Sequence, residues 1–241
     1  MNPIDKFASA SGNVPVQDHA GSVETVLGSR FSCRAFRPEQ VPRKTIERIL
    51  RMAQRSASWC NTQAWQLHIT EGPGTERFRQ ALLAQVTREP KGDSDIEWPR
   101  EYRGVYLDRR RECGFQLYSA VGIAPGDREG YTRQGLENFR LFGAPHVAIV
   151  TSDEALGPYG AIDCGAFVST FLTAAQACGV ATVAQAALAR QSSFIRRFFD
   201  IGRDRLVVCG ISFGFADETH PANGFRTNRA PVEDVVTWTV R

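Results

Sequence analysis

Two arginines stand four residues apart in Arg30-Phe31-Ser32-Cys33-Arg34-Ala35-Phe36, with a serine midway between them. In an extended segment alternate side chains share a face, so Arg30, Ser32 and Arg34 would point one way. That face is forked, cationic and rich in donors. It suits a phosphate or another anion held by charge-assisted bonds. Taken alone, the heptad reads more simply as a solvated basic edge. Three further places carry usable chemistry: the polar loop Ser58-Trp59-Cys60-Asn61-Thr62-Gln63-Ala64-Trp65, the small-residue loop Ala184-Gln185-Ala186-Ala187-Leu188, and Arg229 in the tail.

Other chemistries are set aside on the same residues. Gly210-Ile211-Ser212-Phe213-Gly214 spells the G-x-S-x-G of a nucleophile elbow. Asp217 and His220 follow too closely to complete that fold's triad. No G-x-G-x-x-G follows a strand, so a dinucleotide-binding fold is not expected. His19, His68, His146 and His220 lack metal-ligand spacing, and no metal is expected.

The elements that must position these residues follow from periodicity. Residues 1–20 read as a loose polar arm and residues 21–241 as one domain. Val23 to Leu27 suggests a short helix. Ile46, Ile49, Leu50 and Ala53 form a helical stripe just after Pro42. Trp65, Leu67 and Ile69 alternate with Gln66, His68 and Thr70, as in a half-buried strand. Thr75–Thr87 reads as a helix, and about 102–121 as another within a helical lid spanning about 90–140. Strands are expected at 145–151, 180–185 and 205–213. A buried helix at 161–178 should stop at Gly179, and a helix at 192–200 should be capped by Ser192 or Ser193. Residues 221–241 read as a C-terminal arm. The sum is an α+β domain, a central sheet covered by helices.

Composition agrees with a packed domain. Hydrophobic residues are 42% and charged residues 23%, with net charge +3. Neither disorder nor nucleic-acid binding is indicated, and no run reads as a membrane span. The six cysteines are scattered without a C-x-x-C pair. They read as free thiols in a reducing, cytoplasmic setting. The N-terminus has no apolar core of the kind a signal peptide needs.

Together the motifs resemble the FMN-dependent nitroreductase superfamily, its nitroaromatic and nitrobenzoate reductase branch in particular. R-F-S-C-R-A-F is similar to that family's R-x-S-x-R-x-F opening. Residues 58–65 resemble its S-x-x-N-x-Q-P-W loop, residues 179–188 its G-L-x-T-x-P-Q-A-A-L segment, and Thr227-Asn228-Arg229 its C-terminal basic pair. The family's two loop prolines are Ala64 and Ala184 here, and its first tail base is Thr227.

The resemblance implies a mostly antiparallel sheet in an intertwined homodimer with FMN at the interface. Arg30, Ser32 and Arg229 would clamp the phosphate, with Phe31 beside them. Arg34 would face the flavin's N1 and C2 carbonyl. The Ala186 amide would reach N5, between Ala184, Gln185 and Ala187. Ser58, Trp59, Asn61 and Gln63 would come from across the interface. It further implies that NADH or NADPH and a small aromatic oxidant alternate over one flavin face, with no catalytic side chain of the protein. The residues themselves add Trp59 and the cluster Tyr102, Tyr106, Arg109, Arg110 and Arg111, with Arg110 put first, as candidate substrate contacts, rings to stack on and a guanidinium for a carboxylate, against the simpler reading of a solvated helix face. The alternatives are a reductive dehalogenase or dehydrogenase on the same fold, or a flavin-binding module without turnover.

Overall fold

Apolar runs in the second half of the chain build the centre of a sheet, and earlier helices cover it. The computed structural model describes residues 16–240. Among them lie α1 (Val16–Ser29), α2 (Arg43–Ala53), β1 (Trp65–Ile69), α3 (Pro73–Arg88), α4 (Val105–Ala120), α5 (Arg128–Leu136), β2 (His146–Asp153), α6 (Gly157–Ala177), β3 (Ala181–Gln185), α7 (Ser192–Phe199) and β4 (Arg205–Gly214). Strand order is β1-β2-β4-β3, and every neighbouring pair is antiparallel. The α+β class expected from the sequence is the one found.

Both faces of the sheet are covered. Val147 and Ile149 of β2 join Phe78 and Leu82 of α3 and Ile195 of α7. Ala148 and Val150 face the other way, onto Ile46 and Ile49 of α2 and Phe167 and Phe171 of α6. This is why β2 reads as a continuous apolar run. A bulge skips Val208 in the pairing of β2 with β4. The extra residue lets Val207 serve the first core while Ile211 and Phe213 serve the second.

Several local expectations hold. After α6, the Gly179 N–H donates to Gln176 O (3.0 Å) and the Val180 N–H to Ala175 O (2.9 Å), with Gly179 at φ +70. That closure ends the helix in the left-handed turn glycine favours. The stripe Ile46, Ile49, Ala53 is buried. Among the described residues no helix is long and apolar enough to cross a membrane.

Others need correction. α1 begins at Val16, within the stretch read as an arm; residues 1–15 lie outside the described residues. Val23 and Leu27 are exposed, so the helix has little apolar stripe to betray its length. Neither Ser192 nor Ser193 caps α7. The Ser192 hydroxyl donates back to Ala189 O, and the Ser193 N–H is taken by the Asp93 carboxylate at 3.1 Å. Asp95 accepts from the Val207 N–H (2.8 Å) and pairs with Arg196 (2.5 Å). The first residues of the expected lid are thus fixed to α7 and β4.

Candidate anion-binding site

The heptad lies along the outer side of β3. The Cys33 N–H donates to Thr182 O (2.9 Å), and Ser32 forms a parallel bridge with Thr182. Cys33 and Ala35 are buried in the core, while Arg30, Ser32 and Arg34 turn outward and are partly buried. The expected alternation is present. On the far side Asn223 holds the backbone. Its Oδ1 accepts from the Arg34 N–H (2.7 Å), and its Nδ2 donates to Ala35 O (2.9 Å) and Asp217 O (2.8 Å).

Arg30, Ser32 and Arg34 open onto a cavity of about 290 Å³. Leu27 and Gly28 at the end of α1, Cys113 of α4, and Phe225, Arg226, Thr227 and Arg229 of the tail close it. Four guanidiniums converge there. None of them belongs to an ion pair among the described residues. Their hydrogen bonds hold loops: Arg34 to Ser32 O, Arg226 to Asn223 O and Phe225 O, Arg229 to Thr227 and Asn228. Arg34 stands 5.8 Å over Phe225, and Arg226 stands 3.9 Å over Phe31. Heptad and tail therefore exchange one arginine and one ring each. Burial first, then the like charge of Arg229, draws Arg30 below its ordinary pKa. Burial does the same to Arg34, opposed by the Cys113 and Cys33 thiols. Like charges gathered in a partly desolvated space are unfavourable until an anion enters. The cavity is built for a multiply charged anion such as a phosphate.

A second cavity, about 560 Å³, adjoins the first through Cys113, Thr227 and Arg229. Arg109, Glu112, Cys113 and Gln116 of α4 line it, an i, i+3, i+4, i+7 face. Arg110 lies on another face, 5.1 Å over the Tyr102 ring, and Tyr106 is exposed. Neither cavity is lined by Tyr102, Tyr106 or Arg110. Of the α4 arginines, Arg109 lines the second cavity.

The two loops sit elsewhere. Ala184 and Ala186 are exposed and Ala187 partly so, leaving backbone open to a flat ligand. The Gln185 side chain is buried instead. Its Nε2 donates to Asn138 O (2.9 Å), and its Oε1 accepts from the Ser212 hydroxyl (2.5 Å). Its side chain thus anchors the loop whose backbone lies open at Ala184 and Ala186. Ser58, Trp59, Asn61 and Gln63 do not line the arginine cavity. Ser58 Oγ accepts from the Gln63 N–H (3.0 Å), and Gln63 Nε2 donates to Asn61 O (3.3 Å), so these groups shape the loop itself. Asp163 of α6 accepts from the Trp59 N–H and the Thr62 hydroxyl, and Trp59 meets Tyr159 edge-on.

The G-x-S-x-G run lies within β4, not on a turn, and Ser212 is fully buried. Its glycines serve packing: a Cβ at Gly210 would strike Leu188, and one at Gly214 would strike Pro145. Sequence reasoning passed over Arg226 and Asn223. Arg226 is adjacent to the vacant basic position at Thr227, a signal that was present. Asn223 stands in Pro221-Ala222-Asn223-Gly224, which reads only as a turn.

The chain is thus an α+β protein with an antiparallel sheet and a cationic cavity beside β3. The family model described as Nitroreductase family matches residues 27–215, and the chain belongs to that family. It is 32% identical over 227 residues to a protein named nitroreductase NfnB from Mycolicibacterium smegmatis, covering 93% of this chain and 95% of that one. It is 33% identical over 206 residues to a 4-nitrobenzoate reductase of Pseudomonas putida, covering 86% and 90%. The crystal structure of the FMN-dependent NfnB from Mycobacterium smegmatis in complex with NADPH superposes with a TM-score of 0.87 at 31% identity, over 92% of this chain and 100% of that one.

Proposed function

We propose that this chain is an FMN-dependent oxidoreductase that reduces nitroaromatic acceptors in two-electron steps to hydroxylamines with NADH or NADPH. The observation that carries the reading is the cavity of four guanidiniums without a carboxylate among the described residues. Arg30, Ser32 and Arg229 hold the FMN phosphate. Arg34, farther along the heptad, faces the ring where negative charge gathers on reduction. The exposed small residues at 184, 186 and 187 admit the ring close to backbone. Bound FMN supplies hydride uptake from the nicotinamide and delivery to the acceptor; the protein's part is placement and electrostatics.

The working form is a homodimer of one FMN-binding domain per chain. Ser58, Trp59, Asn61 and Gln63 stand outside their own chain's arginine cavity, which fits the role the family resemblance gives them, reaching the partner's flavin. Tyr159 and Ile162 on α6, Phe115 on α4, and Val236, Trp238 and Val240 of the tail are exposed apolar groups that a second copy covers. α4 has no buried residue in the single chain. A cytoplasmic location is part of the same reading, supported by six free cysteines.

The purified protein is expected to be a yellow dimer releasing one FMN per chain on heating. NAD(P)H oxidation should rise on adding a nitroaromatic, with a hydroxylamine product insensitive to oxygen. FAD, no flavin, or turnover no faster than free FMN would overturn the assignment.

The acceptor preferred is anionic. The observation favouring this is Arg109 facing the second cavity beside Arg229. kcat/KM for 4-nitrobenzoate should exceed that for nitrobenzene, and Arg109→Ala should bring the two together by roughly ten-fold, the cost of one charged hydrogen bond. An unchanged ratio would remove Arg109 from substrate recognition and leave the nitroreductase assignment intact.

A further inference from the structure

We infer that Ser212, the serine of the G-x-S-x-G run, is a positioning residue: acting through Gln185, it fixes the backbone of the 184–187 loop and so tunes the flavin that lies against it. This rests on the FMN reading above. Ser212 is fully buried in β4, and Gln185, at the end of β3, is 2% exposed. The Ser212 hydroxyl donates to Gln185 Oε1 (2.5 Å), and Gln185 Nε2 donates to Asn138 O (2.9 Å) and Asn138 Oδ1 (3.3 Å). Both ends of the amide are engaged, so the side chain can neither flip nor swing out. Gly210 holds the same loop two residues earlier on the strand. The space where its Cβ would stand is filled by Leu188, which is fully buried.

The far end of this chain of bonds is anchored as firmly. Asn138 O also accepts from the Leu141 N–H (3.1 Å). Leu141, Phe142 and Gly143 stand at φ 58, 51 and 78, and the first two are buried side chains in the left-handed region. Such strain persists only where the surroundings over-determine it. The near end is backbone open to a ligand, with Ala184 and Ala186 exposed. Ala186 opens the 3₁₀ turn Ala186–Gln191, so its N–H has no partner within that turn. The family resemblance gives this amide to flavin N5, which accepts a hydrogen bond only in the oxidised ring. A loop released by the loss of Ser212 weakens that bond and disfavours the oxidised form alone.

The test is the midpoint potential of bound FMN, with titrations of oxidised and of reduced FMN onto flavin-stripped protein. Ser212→Ala should weaken oxidised FMN by roughly ten-fold, the cost of one neutral hydrogen bond, and leave reduced FMN unchanged. That ratio corresponds to a potential about 30 mV higher. Gln185→Met, which keeps the length of the side chain, should do the same and guards against misfolding of the alanine variant. The double variant should match the weaker single variant rather than add to it, because Ser212 acts through Gln185. A potential unchanged in both single variants would overturn the inference, even if both melted earlier than the wild type. So would equal weakening of the two redox forms, the mark of a packing role, or effects that add in the double variant. A wild-type chain that binds no FMN would instead overturn the FMN reading itself, and the inference with it.

Discussion

Asn223→Ala is expected to lower the unfolding free energy by about 3–5 kcal/mol and to weaken FMN binding, although Asn223 does not line the arginine cavity. The side chain is 4% exposed and makes three backbone hydrogen bonds at 2.7–2.9 Å. The acceptors survive its loss better than the donor. Ala35 O keeps the Asp217 N–H (3.0 Å) and Asp217 O keeps the His220 N–H (3.3 Å). The Arg34 N–H loses its acceptor in a partly buried setting, which alone costs about 1–3 kcal/mol. Two lost bonds and a small cavity make up the remainder. In a chain of this size each kcal/mol moves the midpoint by about 2–4 °C, so thermal unfolding should shift by roughly 10 °C. Arg34 and the tail would also lose their mutual register. An unchanged midpoint would show that the backbone bonds of the Phe36 N–H to Phe142 O (3.3 Å) and the Arg37 N–H to Phe215 O (2.9 Å), with the ring–guanidinium contacts, hold the heptad by themselves.

Asp163→Ala should act on function more than on the fold. Its carboxylate accepts from the Trp59 N–H at 3.2 Å and the Thr62 hydroxyl at 3.3 Å. Between and beside these bonds Cys60, Asn61 and Gln63 stand at φ 49, 55 and 50. None is glycine, and Cys60 in particular gains little from that region, so the loop is held there by its surroundings. Removing two bonds to a charged acceptor releases about 2–4 kcal/mol of restraint, roughly a 30- to 700-fold loss of the ordered loop. Light scattering and FMN titration should show weakened dimer and weakened FMN together, with the chain's own unfolding little changed. Asp163→Asn, which keeps one acceptor oxygen, should fall between. Normal FMN affinity in the alanine variant would mean that Asn61 and Gln63 do not meet the cofactor.

The sequence was most legible where one period dominates. Ile46, Ile49 and Ala53 declare α2, and the buried run 146–152 declares β2, because burial on one face or both leaves a direct imprint on residue type. The Arg30, Ser32, Arg34 alternation was legible for the same reason. α1 was not, because an exposed helix carries no such imprint. The cap of α7 was not, because Asp93 lies a hundred residues away in the chain. The burial of the Gln185 side chain was not legible, because a motif states which residue is present, not whether its side chain or its backbone is turned inward. Asn223 is a tertiary fact: its meaning appears only when the tail folds back on the heptad.

β3 has β4 on one side only, and on the other its backbone meets Ser32 and Cys33. An uncovered strand of this kind presents a row of donors and acceptors that another chain can join. The segment that gathers the arginines is thus also a guard against edge-to-edge self-association. Variants at Ser32 or Cys33 that come out insoluble would report an unguarded edge, and their loss of colour would say nothing about the chemistry of the site.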